Sequence, residues 1–337
     1  MKGFNYLGVL SITLIVIFSC SPEIEYKKIS VAQEGGIRFT RITDKEDAVV
    51  APQIDTSQGR LYVRIRNTFD VSKDETKIAF IANKNNRQDI FIKYLTGSKS
   101  LLQRTFTGNI WDVSFSPDRE WLVYSAWKYD NYEIFLIKAE AGSAVQQITF
   151  TKYNEYNPVF FPTKKAILYN QAEIQIEISQ QAFKYSSNLY LWSYDMEKSS
   201  FIQYVMGESP SFLPDGNRVV VTRNNKETNL PELWLIDLQK GQEFIIVTSK
   251  EKGYIQPAVS PDGEKIAFVT QTEAEDIPSN LDIYLISING TNLIQLTFHP
   301  GHDLLPKWSP DSKSIYFLSQ RGSEKGEWNI WRMDLQF

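Results

Sequence analysis

A repeated motif divides most of this chain into six similar units. In each unit a short turn, Ser-Pro-Asp-Gly in its best copy, joins two apolar stretches with the composition of β-strands. Proline fixes the φ angle that the first central position of a turn requires, and aspartate readily adopts the conformation of the second. Glycine adopts the left-handed conformation that follows, so the motif predicts a tight hairpin. Clear copies are AVSPDGEKIAFV (258–269), KWSPDSKSIYFL (307–318), SFSPDREWLVYS (114–125) and SFLPDGNRVVVT (211–222), and weaker copies are DVSKDETKIAFI (70–81) and VFFPTKKAILYN (159–170).

The spacing of these turns indicates what each unit is. The residues that open the turns are Ser72, Ser116, Phe161, Leu213, Ser260 and Ser309, at separations of 44, 45, 52, 47 and 49 residues. Within each interval a third strand with an aromatic centre follows, as in YEIFLI (132–137), and then a fourth, as in VQQITF (145–150). Four strands at this period are typical of a propeller blade. We therefore expect an all-β fold, a six-bladed β-propeller of four-stranded antiparallel blades.

The sixth unit reaches the last residue, Phe337, after only three strands. Because a bare strand edge favours aggregation, its fourth strand should come from another part of the chain. Residues 36–43 (GIRFTRIT) resemble the ends of the other fourth strands, which predicts that an N-terminal strand completes the last blade and closes the ring. Two segments do not fit the pattern. We interpret 44–68 as an extra hairpin or long connection, and 171–187 as an insertion between the second and third strands of its blade.

These units resemble the TolB-type propeller repeat, a relative of the WD repeat, over essentially all of residues 36–337. The resemblance implies a rigid disc whose loops and central channel bind proteins, peptides or glycans. TolB proteins also carry an α/β domain before the propeller, and we expect none here because the repeats begin near residue 70. A fold of this kind does not by itself identify the ligand.

The first residues resemble an export signal. Lys2 is followed by the uncharged apolar stretch 7–18 and then by Ser19 and Cys20, which is the order of a secretory signal peptide. Cys20 is the single cysteine of the chain, and Ile17-Phe18-Ser19-Cys20 resembles the lipobox of bacterial lipoproteins. We expect a signal peptide over 1–19, lipidation of Cys20 and a tether over 20–35, with the propeller over 36–337. The resemblance implies an exported protein anchored in the outer membrane, while an uncleaved membrane anchor is the alternative.

The composition and motifs favour binding over catalysis. Removal of residues 1–19 leaves 35 basic and 40 acidic residues, a net charge of −5 with no basic block, which argues against nucleic acid as a partner. The G-x-S-x-G motif of serine hydrolases does not occur. The two histidines, His299 and His302, flank Pro300 and Gly301 and indicate a turn rather than a metal site. We expect no enzymatic activity, no cofactor and no metal.

The register of the repeats places one polar set of side chains on the innermost strands. Residues four and two positions before each turn are mostly polar or small, and the residue between them is apolar or proline. Because strand residues alternate between faces, the polar set should surround the central channel. The candidate channel-mouth residues are Asp70, Asp112, Asn157, Gln256 and Lys307. The alternative is that these side chains only hydrate a water-filled channel.

Three functions remain open at this point. The first is a lipid-anchored scaffold of the cell envelope that contacts envelope proteins through one face of the disc. The second is a carbohydrate- or peptide-binding lipoprotein that uses the channel mouth. The third is a hydrolase or lyase with a site on the loops. Among the aromatic residues, the segment Trp127-Lys128-Tyr129-Asp130-Asn131-Tyr132 lies in a predicted loop, where its rings could stack on sugars.

Overall fold

A computed structural model describes residues 36–50, 53–55, 62–64, 66–96, 101–140, 142, 144–178, 183–274, 277–323 and 326–336. The predicted signal peptide, Cys20 and the tether lie outside these residues. The described part of the chain forms six four-stranded antiparallel sheets, which are the blades of a propeller. The predicted fold class is therefore confirmed.

Each blade has one strand at the channel and three successive strands further out. From the channel outward, blade 1 consists of β4 (Phe69–Val71), β5 (Lys77–Lys84), β6 (Arg87–Tyr94) and β7 (Leu102–Gln103); blade 2 of β8 (Ile110–Phe115), β9 (Trp121–Lys128), β10 (Asn131–Lys138) and β11 (Val145–Gln147); blade 3 of β12 (Asn154–Phe160), β13 (Ala166–Ile178), β14 (Phe183–Asp195) and β15 (Ser200–Met206); blade 4 of β16 (Glu208–Phe212), β17 (Arg218–Asn224), β18 (Pro231–Asp237) and β19 (Gln242–Val247); blade 5 of β20 (Tyr254–Val259), β21 (Lys265–Ala274), β22 (Ile277–Ser287) and β23 (Ile294–Gln295); and blade 6 of β24 (Asp303–Trp308), β25 (Ser314–Ser319), β26 (Asn329–Asp334) and β1 (Arg38–Arg41).

The N-terminal strand closes the ring as predicted. β1 pairs antiparallel with β26, from Arg38 opposite Asp334 to Arg41 opposite Trp331. Beyond the strand, the backbone N–H of Ile42 donates to the carbonyl of Ile330 at 2.9 Å. Blade 6 is therefore built from both ends of the propeller.

The two faces of the disc carry different connections, because successive strands of a blade run in opposite directions. We call the side with the Ser-Pro-Asp-Gly turns the turn face, and the opposite side, with the hairpins between second and third strands, the hairpin face. At every turn the N–H of the opening residue donates to the carbonyl five residues later, at 2.8 to 2.9 Å. In four turns the opening serine also donates to the aspartate two residues on, for example Ser260 to Asp262 at 2.5 Å. The six turns predicted from the sequence therefore form, and they all lie on one face of the disc.

The innermost strands of blades 3 to 6 share a β-bulge that the alternation argument did not anticipate. In each, one residue with φ between 49° and 54° precedes a proline, and the pairing register shifts at that point. Proline has no N–H to contribute to a ladder, and a bulge at the edge of a sheet accommodates it. The four pairs are Asn157-Pro158, Ser209-Pro210, Gln256-Pro257 and Leu305-Pro306.

Apolar clusters between neighbouring blades form the core. One cluster joins blades 1 and 2 around Ile81 and Val113, and another joins blades 2 and 3 around Leu136 and Ile167. The largest joins blades 5, 6 and 1 and includes Phe39 of β1. Burial of this surface is the main favourable contribution to folding, at roughly 25 cal/mol per Å² of apolar area. The blades are thus held to one another through their faces.

The two segments that departed from the repeat pattern are accommodated differently. Within 44–68, the chain first forms a 3-10 helix (Lys45–Asp47). The backbone N–H of Val50 then donates to the carbonyl of Ile81 at 2.9 Å. A separate hairpin of β2 (Gln53–Asp55) and β3 (Tyr62–Arg64) follows. The stretch before this hairpin therefore pairs with β5 of blade 1. Residues 171–178 and 183–187 extend β13 and β14, which remain paired from Ala166 opposite Asp195 to Ile178 opposite Phe183.

Candidate binding channel

Two connected cavities lie among the innermost strands. The wider one, which we call the turn-face cup, has a volume of about 400 Å³. The narrower one lies towards the hairpin face and has a volume of about 50 Å³, and we call it the inner cavity. Val159, Pro210, Pro257 and Lys307 line both, so the two cavities meet at these residues.

Asp112 lies between blades rather than against either cavity. Its carboxylate is completely buried and accepts hydrogen bonds from the backbone N–H of Asn67 at 2.6 Å, from the N–H of Asn157 at 2.8 Å and from the hydroxyl of Ser125 at 2.7 Å. Burial raises the pKa of Asp112. This side chain joins the innermost strands of blades 1, 2 and 3.

Asp70 lines the turn-face cup and also joins two blades. Its carboxylate accepts from the hydroxyl of Ser114 at 2.9 Å and from the backbone N–H of Phe115 at 2.8 Å, both in blade 2. The predicted set is therefore divided: Asp70 lies at the turn-face end of the channel, and Asn157 and Gln256 lie at the other.

Asn157 and Gln256 line the inner cavity at the bulge positions of blades 3 and 5. The side-chain carbonyl of Gln256 accepts from the backbone N–H of Leu305 in blade 6 at 2.8 Å. The amide of Asn157 donates to Asn170 at 3.3 Å. Each side chain thus contributes to the structure of the ring while it faces the cavity.

Lys307 lies where the cup and the inner cavity meet. Burial lowers the pKa of its ammonium group, and the nearby charges of Asp70 and Asp112 act in the opposite direction. Within the part of the chain that the structure describes, the ammonium group makes no hydrogen bond and no ion pair. It is a partly desolvated cation at the centre of the disc.

The candidate list left out Asn67 and also Ser209, which lies four positions before its turn, and both line the inner cavity. Across the described residues, three buried polar atoms of this cavity have no hydrogen-bond partner: Oδ1 of Asn67, Oγ of Ser209 and Nε2 of Gln256. Buried polar groups are normally satisfied by protein, by water or by a ligand. The recurring X-Pro dipeptides were the signal that could have located Ser209, because they mark the bulges that face the channel.

A cluster of aromatic rings lies on the hairpin face beside the channel. The ring centroid of Tyr132 lies 5.2 Å from the centroids of both Trp111 and Trp127 and 5.3 Å from that of Tyr156. The guanidinium of Arg66 lies 4.0 Å from the centroid of Trp111. Trp127 is 44% exposed at the edge of the cluster, so the segment singled out from the sequence presents aromatic surface to solvent.

The two histidines occupy a structural turn between blades 5 and 6. Nδ1 of His299 accepts from the N–H of Gly301 at 2.9 Å, and Nδ1 of His302 accepts from the N–H of Leu281 at 3.1 Å. In the described ranges, no group of three or more His, Cys, Asp and Glu side chains is arranged to hold a metal ion. Within the same ranges, no helix is long and apolar enough to cross a membrane.

Comparisons with known proteins agree with this architecture. Residues 203–336 match the family model of the TolB β-propeller domain. The chain is similar to the crystal structure of TolB from Acinetobacter baumannii, with a TM-score of 0.56 and 18% identity over 76% of this chain and 61% of that one. It is also similar to an oligogalacturonate lyase from Vibrio parahaemolyticus, with a TM-score of 0.60 and 13% identity over 91% of this chain and 96% of that one.

A relative by sequence is the uncharacterized peptidase YuxL of Bacillus subtilis, 29% identical over 110 residues. The match covers 32% of this chain but only 16% of that peptidase. Proteins whose names state different activities are thus similar to this chain, and the similarity to the two solved structures shows the fold alone. The six closed blades and the family match together show a six-bladed β-propeller that matches the TolB β-propeller domain over residues 203–336.

Proposed function

We propose that this protein is a lipid-anchored interaction scaffold of the cell envelope, and that it holds a segment of a partner protein at its channel. The observation that carries the proposal is the set of unsatisfied polar atoms of Asn67, Ser209 and Gln256 around the inner cavity. A site with several convergent polar groups in a preformed, mostly apolar cavity is typical of ligand recognition. The TolB-type fold supports protein interaction in general.

The proposed role is binding without turnover. The channel offers an amine, amides and a hydroxyl, while the carboxylate of Asp70 at the cup and that of Asp112 between the blades accept hydrogen bonds from neighbouring blades. The similarity to a lyase and to a peptidase concerns the fold or a small part of the relative. Incubation of the purified protein with peptide and polyuronate substrates should therefore yield no product, and turnover of either would contradict this part of the proposal.

The experiment that tests the scaffold is a cross-linked pull-down of the tagged protein from detergent-solubilised envelopes, followed by mass spectrometry. The test variant is Ser209→Ala with Lys307→Met, because both side chains line the inner cavity and the hydroxyl of Ser209 has no hydrogen-bond partner among the described residues. The control is Lys250→Met, an exposed lysine away from the channel. A protein enriched by the wild type and the control but lost in the test variant supports the scaffold. Absence of any enriched protein contradicts it.

A second candidate, glycan binding, is favoured by the aromatic cluster of Trp111, Trp127, Tyr132 and Tyr156. Aromatic faces with partial exposure provide stacking surface for the apolar faces of sugars. Retention of the wild type on an envelope glycan, with loss in Trp127→Ala and no loss in Ser209→Ala with Lys307→Met, would favour this candidate over the scaffold.

A further inference from the structure

The charge of Lys307 is not neutralised by direct contacts within the described residues. Asp70 and Asp112 lie close enough to affect its pKa. Their carboxylates, however, already accept hydrogen bonds: Oδ2 of Asp70 accepts two from blade 2, and Asp112 accepts two from neighbouring blades and one from Ser125 of its own blade. A partly desolvated cation without a direct partner is costly, and an anion placed against it recovers much of that cost.

The cup that leads to Lys307 has apolar walls. They combine the prolines of four turns with aromatic side chains of the innermost strands. The lining includes Pro117, Pro162, Pro214 and Pro261 together with Phe160, Phe212 and Trp308. A second cation, Lys73, lines the cup and is exposed. An entering ligand therefore meets apolar surface on the way to a cation.

The hydroxyl groups around the cup are largely occupied. Ser114 donates to Asp70 at 2.9 Å, Ser116 donates to Asp118 at 2.5 Å and Ser260 donates to Asp262 at 2.5 Å. The hydroxyl oxygen of Ser211 accepts from the N–H of Val259 at 2.9 Å. Few donors remain for the hydroxyl groups of a sugar, so the lining suits an apolar group that carries a carboxylate.

The shape of the channel suits the terminus of a bound polypeptide better than an internal segment. The cup has a volume of about 400 Å³, and beyond Lys307 the space decreases to about 50 Å³ in the inner cavity. An extended chain can enter from the turn face but has no room to continue through. A carboxylate that reaches Lys307 therefore belongs at the terminus of the entering segment.

We propose that the turn-face cup binds the free C-terminal carboxylate of a partner protein, with the carboxylate on Lys307 and the last side chains, which are apolar, against the proline and aromatic walls. This inference rests on the proposed scaffold function and names the part of the partner that is held. Capture of a terminal carboxylate is one of the recurring modes of peptide recognition. Beyond the cation, the amide of Gln256 and the hydroxyl of Ser209 offer further contacts through water.

The test uses two pools of pentapeptides, acetyl-Gly-Ser-Gly-X-X with X drawn from Leu, Val, Phe, Tyr and Trp. One pool ends in a free carboxylate and the other in an amide. Peptides retained by the immobilised mature protein are identified by mass spectrometry, and the tightest is measured by fluorescence anisotropy. We expect the free acid to bind at least tenfold more tightly than its amide. Lys307→Met should abolish this difference, Lys307→Arg should keep most of it, and Lys250→Met should leave it unchanged.

Several outcomes overturn the inference. Equal retention of the two pools, or a preference for the free acid that persists in a folded Lys307→Met variant, removes the carboxylate contact. Competition by galacturonic acid at the concentrations at which the peptides bind would assign the site to a sugar acid. A partner that the pull-down captures and that still binds after amidation of its C-terminus refutes this inference alone. If no partner is captured while the peptides bind as expected, the scaffold is refuted and the carboxylate site stands.

Discussion

The hydroxyl of Thr43 donates a hydrogen bond to Oδ1 of Asn329 at 3.2 Å, across 286 positions of sequence, and accepts one from the backbone N–H of Ile330 at 2.8 Å. An equivalent contact joins the third and fourth strands within blade 1. There the hydroxyl of Thr105 donates to Asp89 at 2.9 Å and accepts from the N–H of Ile90 at 2.8 Å. The closing strand therefore reproduces a contact that other blades make locally.

Replacement of Thr43 by valine should weaken the closure. The substitution keeps the shape but leaves the N–H of Ile330 and the amide of Asn329 without their partner, which costs about 1–3 kcal/mol. Urea unfolding should show this loss, whereas Thr40→Val, an exposed position of the same strand, should change the free energy of unfolding by less than about 0.5 kcal/mol. Equal effects at the two positions would show that the buried contact contributes nothing specific.

Asp112→Ala should destabilise the fold rather than act on binding alone. It leaves the N–H groups of Asn67 and Asn157 unsatisfied in the interior, and we expect a loss of about 2–4 kcal/mol. The matched control is Asp130→Ala, an exposed aspartate at the hairpin of the same blade. A thermal melt of Asp112→Ala that matched the control would contradict the role of this side chain as a link between blades.

Stability should decrease as the pH rises towards 8. Burial raises the pKa of Glu155 from its ordinary 4.5 to about 8, and the neighbouring charge of Glu133 adds to the effect. Between these two values the folded state holds a proton that the unfolded state has lost, so folding loses free energy with increasing pH. Burial likewise raises the pKa of Glu208 to about 7.

Urea midpoints measured at pH 5, 6.5 and 8 test this dependence. Glu155→Gln, which stays neutral, should flatten it, and Glu208→Gln should flatten its lower part. Glu264→Gln, at an exposed carboxylate, should follow the wild type. A pH dependence that Glu155→Gln left unchanged would show that Glu155 does not retain its proton.

Cys20→Ser should release the protein from the membrane. The prediction rests on the lipobox-like sequence before Cys20 and on its position as the single cysteine. Fractionation should move the variant from the membrane to the soluble envelope fraction, and mass spectrometry of the wild type should find a lipid on Cys20. An unmodified Cys20 in membrane-bound wild-type protein would instead favour the uncleaved anchor.

The fold could be predicted from the sequence because its information is local and repeated. A turn such as Ser260-Pro261-Asp262-Gly263 fixes a hairpin by backbone chemistry alone, and six copies at a constant period define the blades. The closing strand could be found because Thr43 ends it as Thr105 and Thr149 end the internal copies. The predicted channel residues depended on a weaker assumption, that the innermost strands alternate regularly.

The bulges break that assumption. Asn157 and Gln256 sit at bulges with a following proline and face the inner cavity, whereas Asp112 is followed by Val113 and turns into the space between blades. Residues at one repeat position thus have different surroundings. Hydrogen bonds between neighbouring blades join residues about 45 positions apart, and they decide which polar side chains have a partner. A local sequence pattern does not reveal such contacts. The binding role of the five residues stays a prediction.

The closing contact between Thr43 and Asn329 also sets an order of events in folding. β1 is among the first parts of the propeller to be synthesised, and its partner β26 is among the last. The internal blades can form from neighbouring strands, but the first strand must wait for nearly the whole chain before its backbone groups are paired. Contacts this distant in sequence form slowly. Completion of the ring is therefore a late step, and until then two unpaired strand edges are open to other chains.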